Sequence, residues 1–438
     1  MDRRTRRIVF YSFVILFIAV GTAVVAYSQG WRFDFKAGRF EKTGGIYLRI
    51  EPADAEITLD GKGVSNQSGL FQSGTLISNL IKGVHHLKIS KNGYFGWEKS
   101  VAVEPGGAAV FDKILLLPQD NAQKIDEPAG SFAMLDGKAV EVKDGAIIFG
   151  DRLVRGSEIV DVSPGGRIIT ASASGTYYLT DLSGGDGASL NLNTTFTNLK
   201  QSQLNMPGTV PITAIDFHPF DDARLVIETG GGLYIMDTKN LSLEQIVSEP
   251  FGFIVSGDQL VWAARGGIWS YNLILHTPTK ISGYGLLPSD PAEKIKISPS
   301  GSLVAVLQRS GMLMLMDYAS QSSLRIAYKV KEFAFSPDSR YLAYADRDGP
   351  LSVYRVDRPQ YMGLSAIKGA PVVQLDWYKD SAHLFALREG NLDFIEVGAE
   401  PTNVMRVATR VSEFNYAPNT DVIYYLTPGG LFNYSIVR

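Results

Sequence analysis

From Gly45 onward, apolar residues alternate with polar ones in short runs. In "GIYLRIEPADAEITLDGKGV", Ile46, Leu48 and Ile50 project to one side, and Tyr47, Arg49 and Glu51 to the other. That is the period of a half-buried strand. Ile57 and Leu59 continue it beyond the turn at 52–54, and Asp60-Gly61 supplies the positive φ angles of a tight hairpin. "HHLKIS" and "EKSVAVEP" alternate again, and "AAVFDKILLLP" closes the segment at Pro118. With no helical period in the segment, the pattern predicts a small β-sandwich over 45–118.

A second, longer period follows. Phrases that read strand, turn, strand, glycine turn, strand begin at Ile159, Ile212, Phe253, Ile295, Val330, Val372 and Val411. Their starts lie mostly about 40 residues apart, the spacing of β-propeller blades. The longer first interval holds a Gly/Ser/Asn-rich insertion near 183–208. Seven phrases predict seven blades over 131–438, with eight as the alternative. Residues 131–156 either donate strands that close the ring with the last phrase or form the eighth blade. The polar stretch 119–130 reads as a linker.

The first residues obey neither pattern. No charge interrupts Ile8 to Ser28, and about 20 such residues cross a bilayer as a helix. Arg3, Arg4, Arg6 and Arg7 precede the run. The positive-inside rule then puts 1–7 in the cytoplasm and exports the rest. The expectation is a single-pass protein of the cell membrane, with 8–28 as the span and 29–44 as a juxtamembrane segment. Trp31, Phe33 and Phe35 would sit at the outer interface. The rival, a signal peptide cleaved at Ala26, fits less well, because the run exceeds the 7–15 residues of a signal core. The expected fold class is therefore an all-β exported region, sandwich plus propeller, behind one transmembrane helix.

"IEPADAEITLDGK" followed by "LIKGVHHLKISKNGYFGWEKSVAVEPG" resembles a PEGA domain across about residues 45–118. Pro52 and Ala55 match the ends of the name-giving tetrapeptide, while Ala53 and Asp54 replace its Glu and Gly. Lys82-Gly83 stands where the family has Pro-Gly; Lys91, Gly93, Tyr94 and Trp97 match. "FSPDSRYLAYA" (335–345) resembles the inner hairpin of WD-repeat-like and envelope-type propellers, without the Trp-Asp signature of true WD repeats. Together these are similar to PEGA-containing membrane proteins of bacteria. The resemblance implies binding or support at a cell surface and no reaction.

Composition narrows the chemistry. There is no cysteine, which removes disulfides, thiolate metal sites, acylated lipoprotein anchors and Cys nucleophiles. A net charge of −3, with no basic, aromatic-interleaved patch, gives no case for nucleic acid. His85 and His86 are adjacent on a strand, so they leave opposite faces and cannot chelate one metal. His218 and His383 occupy equivalent blade turns, and His276 lies in a loop. No nucleophile elbow, zinc helix, phosphate loop or dinucleotide fingerprint is present. Asp346-Arg347-Asp348-Gly349 lacks the third carboxylate of a calcium loop and reads as a β-turn. No catalytic, cofactor-binding or metal residue is therefore assigned.

Two sets remain as candidate ligand contacts. Tyr94 and Trp97 flank a turn and either plug the sandwich end or stack on a sugar. Asp161, Asp216 and Asp376 recur on the innermost strands, where they either face a central ligand or bond neighbouring blades. The expected role is a non-enzymatic scaffold of the cell envelope, binding envelope proteins or cell-wall glycan. The alternatives are a propeller enzyme acting on glycans and a sensor signalling through a partner.

Overall fold

The computed structural model describes residues 3–437 except 35–37, 68–73, 128, 185–187, 284–285, 287–288, 349, 359, 364–370 and 399–401. Phe35 and Gly349 thus lie outside the described residues. The chain divides into two compact units, 1–121 with 436–438, and 122–435.

The first unit opens with a helix, Arg3–Ser28. It is long and apolar enough to cross a membrane, and no residue of its apolar window is buried. A hairpin, Trp31–Asp34 with Arg39–Lys42, follows. Two further sheets enclose one core. Gly44–Glu51 lies between Thr75–Leu80 and, in parallel, Ala108–Leu115. Lys62–Val64, Glu56–Leu59, Gly83–Ser90 and Trp97–Val103 form the other sheet in that order. Alternation decides which side chains meet: Ile46, Leu48, Ile50, Ile57, Leu87, Ile89, Trp97, Val101 and Ile114 are all buried together.

The second unit holds eight four-stranded antiparallel sheets among the described residues. Their first strands are Ser131–Leu135, Glu158–Val162, Ile212–His218, Phe253–Ser256, Ala292–Ile297, Val330–Phe335, Val372–Trp377 and Glu413–Ala417. Each first strand neighbours that of the next sheet, and the last meets the first, Glu413–Ala417 against Ser131–Leu135. The arrangement is a closed, propeller-like ring.

Three features bear on the sequence expectation. Residues 131–154 form a complete sheet of their own, as the alternative had it, and do not complete the last one as the favoured expectation did. That task falls to Ala122–Asp126, within the expected linker, which pairs with Gly430–Ser435. The approach is close: a Cβ on Gly430 (φ +132°) would lie 2.4 Å from the Asp126 carbonyl oxygen. Finally, the insertion near 183–208 contains a helix, Leu192–Leu204, so this unit is not purely β. Asn191 caps the Thr194 N–H at 3.0 Å, and Leu192, Phe196 and Leu199 bury one side against the second and third sheets.

Side chains at the turns explain why the phrases repeat. Ser163, Ser298 and Ser336 are buried, and each hydroxyl accepts the backbone N–H four or five residues on, at 2.9–3.0 Å. Asp181, Asp237, Asn272 and Asp317 end the third strands of four sheets and accept the N–H groups of the following turn.

Candidate functional site

The innermost strands of the ring carry polar side chains at alternate positions. On Ile212–His218, Ile215 and Phe217 enter the core between sheets. Ala214 and Asp216 therefore face the other way, toward the centre of the ring. On Val372–Trp377, Leu375 and Trp377 are buried, and Asp376 is turned out.

Asp161 and Asp216 come from adjacent sheets, and their carboxyls lie close enough to perturb one another. Burial, then the facing Asp161 charge, pushes the Asp216 carboxyl up to about 7. Two carboxylates at this range cannot both ionise cheaply, so the pair holds a proton between them. Asp161 also accepts the Val162 N–H at 2.8 Å. Asp376 is not part of this pair. It accepts the Trp377 N–H at 2.8 Å, and its carboxyl is raised by its surroundings, against the pull of Lys296. The residue as a whole is exposed, yet loss of solvent around the carboxyl is the main cause of that rise.

Sequence reasoning missed the groups that join the other sheets. Glu332 is buried and salt-bridged to Lys294 and to Lys296, the latter at 3.5 Å; Lys296 also donates to the Phe333 carbonyl at 2.7 Å. Gln374 donates to the Phe414 carbonyl at 2.6 Å and accepts its N–H at 3.1 Å. The Phe132 N–H lies close enough to Glu413 to favour its charged form, and Trp377 Nε1 donates to the Ala334 carbonyl at 3.0 Å. The signal was present: "EKIKIS" and "KEFAFS" put polar residues on the same alternate positions as the aspartates.

In the first unit the aromatic pair is not an open platform. Trp97 is 1% exposed and packs edge-on against Phe111 at 5.6 Å, so it is a core residue and cannot stack on a sugar. Tyr94 is half-buried, with Lys91 Nζ 4.8 Å from its ring centre and an isolated β-bridge to Pro118. His85 and His86 have separate partners, Asp60 at 2.7 Å and Glu98 at 2.8 Å. His383 is buried, bonded to Asp380 at 2.6 Å and stacked on Phe394. Among the described residues no group of three or more His, Asp or Glu is arranged to hold a metal ion.

No family model matches the chain. It is similar to human echinoderm microtubule-associated protein-like 2, 25% identical over 224 residues, 47% of this chain and 34% of that protein. It also resembles the 77 kDa echinoderm microtubule-associated protein of Strongylocentrotus purpuratus, 25% identical over 147 residues, 32% of this chain and 21% of that one. The chain spans about a third or less of the length of these curated relatives. Among solved structures, the computationally designed Ika8 protein matches 72% of this chain and 98% of its own, with a TM-score of 0.50 at 14% identity. The chain thus has a propeller-like fold and weak similarity to the echinoderm microtubule-associated protein-like proteins.

Proposed function

We propose that this chain is a non-enzymatic scaffold anchored in a cell membrane, with its bulk on the outer side in a bacterial envelope. In this reading the eight sheets are eight blades of one propeller, and residues 45–118 are a PEGA-like sandwich. The propeller presents its turns to a protein, peptide or glycan. The sandwich acts as a spacer or touches wall polymer. The N-terminal helix spans the bilayer with residues 1–7 in the cytoplasm.

The observation that carries this reading is how the innermost polar groups are used. Asp161 with Asp216, Lys294 and Lys296 with Glu332, Gln374 with Phe414, and Glu413 with Phe132 each join one sheet to the next. Such pairing stiffens a ring and leaves its surface turns free for binding.

The test uses the full chain in detergent, mixed with purified cell-wall sacculi or with solubilised envelope proteins under a lysine cross-linker. Saturable co-sedimentation with sacculi, or cross-links from one defined protein to Lys329 and Lys331 at an exposed turn, is expected. Turnover of a glycan that disappears in Asp216→Asn would overturn the reading in favour of an enzyme.

A further inference from the structure

The helix does not stand clear of the rest of its unit. After Ser28 the chain reverses at Gly30 (φ +86°), whose carbonyl accepts both the Thr43 N–H and the Thr43 hydroxyl at 2.8 Å. The hairpin that follows is two-faced by strand alternation. Trp31 and Phe33 share one face with Phe40, and Phe33 lies directly opposite Phe40 in register, their rings 5.1 Å apart. Arg39 and Glu41 fall on the other face, where they form a salt bridge at 2.5 Å.

The aromatic face lies beside the last turns of the helix. Between them is an apolar groove of about 910 Å³, lined by Ala19, Thr22, Ala23 and Ala26 of the helix and by Trp31, Phe33 and Phe40 of the hairpin. At its outer end, Arg32 caps the helix. Its guanidinium lies 3.4 Å from the centre of the Tyr27 ring and donates to the carbonyls of Tyr27 and Trp31 and to Asn79 Oδ1. Trp31, Phe33 and Phe40 remain 40–68% exposed.

We propose that this groove holds the acyl chain of an outer-leaflet phospholipid, making the hairpin a second membrane contact beside the helix. The inference rests on the reading that the helix spans a membrane. The Ala19–Ala26 stretch covers about 10 Å of helix at 1.5 Å per residue, so the groove reaches from the level of Tyr27 and Arg32 into the apolar layer. Aromatic rings and a stacked Arg at the top of an apolar groove match the order of a bilayer interface, with polar headgroups outside and hydrocarbon within. Small helix residues on one side and rings on the other leave a slot shaped for a flexible chain. The charged face of the hairpin keeps it at the interface and out of the bilayer centre.

The absence of cysteine makes the test direct. The full chain, carrying one nitroxide-labelled cysteine, is reconstituted into phosphatidylcholine vesicles. Three sites are compared: Phe40→Cys in the groove, Leu16→Cys in the helix and Lys62→Cys on an exposed edge strand. Relaxation by oxygen reports lipid, and relaxation by a water-soluble nickel chelate reports solvent. The expected result is a several-fold excess of oxygen over nickel collisions at 40 relative to 62, with 16 more oxygen-rich still. A label at 40 that behaves like 62, while 16 is lipid-embedded, overturns the groove and leaves the anchor standing. A label at 16 open to nickel overturns the anchor itself. Spin–spin broadening at 40 that vanishes on dilution with unlabelled chain would give the groove to a second copy, and would also overturn the proposal. In vesicles whose lipids carry a photoreactive acyl chain, the adduct is expected on the groove residues and is reduced several-fold by Ala23→Phe, which fills the slot.

Discussion

The two units each contain a group whose proton is held more tightly than usual, and they reach that state from opposite causes. In the first, His85 has two acceptors, the Asp60 carboxylate at 2.7 Å and the Ile81 carbonyl at 2.9 Å. Both ring nitrogens must then carry protons. Burial works against the charge, but these two partners outweigh it and hold the imidazolium above its ordinary range. In the second unit, Asp216 has lost solvent and faces another carboxyl, so its neutral form is favoured. One group is charged because it gained partners; the other is neutral because it lost water. Both shifts are upward, so both contributions are lost as pH rises, although only the His85 shift comes from a favourable ion pair. A pH profile alone does not reveal which kind of interaction lies beneath it.

Substitutions separate the two cases. The largest expected effect is in the first unit and does not involve charge. Trp97→Ala removes a fully covered ring from the core shared with Phe111 and should cost about 3–5 kcal/mol. The loss should appear in the unfolding of the first unit and be the same at pH 5.5 and 8.5. A loss under about 1 kcal/mol would mean that the ring is not a core element.

The next effect belongs to Asp216. Its contribution is fully present below the unfolded value of 3.8 and is lost as pH rises through about 7. A shift of that size corresponds to about 4 kcal/mol at most, and the partial exposure of the pair reduces it. Asp216→Asn cannot ionise, so the fall in stability of the second unit between pH 5 and 8 should flatten. Denaturant melts at four pH values would check this; an unchanged slope would show that Asp161 and Asp216 do not share a proton.

Glu332→Gln addresses another arc of the ring, where Lys294 and Lys296 meet a carboxylate. Those lysines are 36–43% exposed and rehydrate readily, so the expected cost is about 1–2 kcal/mol. The cost should shrink as salt is raised. By contrast, the Asp216→Asn effect should depend little on salt, because the groups lie close together and are partly buried. Equal salt responses would erase the distinction between the two arcs.

Much of this frame was legible before any coordinates. Alternation identified the buried faces of strands such as Gly44–Glu51, and the repeated Ser-Pro turns marked the hairpins because the buried Ser caps each one. What escaped had weak local signals. Ala122–Asp126 is exposed along its whole length, so no apolar alternation advertised the strand that completes the last sheet. Leu192, Phe196 and Leu199 do follow a helical spacing, but in a Gly/Ser/Asn-rich setting that reads as loop. The aspartates were visible as a recurring position. That Asp161 would meet Asp216, and that Asp376 would not join them, depends on which sheets are neighbours, and the strand pattern of one phrase does not contain that.

The smallest expected effect isolates the other half of the comparison. His85→Asn keeps a donor near Asp60 but cannot be a cation. The His85 contribution is fully present below pH 6.5 and is lost as pH rises through its raised folded value. Because the Asp60 side chain is 49% exposed, the ion pair is expected to contribute only about 0.5 kcal/mol. The variant should therefore be slightly less stable than the parent at pH 5.5 and indistinguishable from it at pH 8.5, in the first unit only. Asp60→Asn should give the same pattern, since it removes the other half of the pair. If either variant were instead destabilised equally at both pH values, His85 would serve only to bridge the turn at Ile81 to the strand. The pH response of the first unit would then have to arise elsewhere.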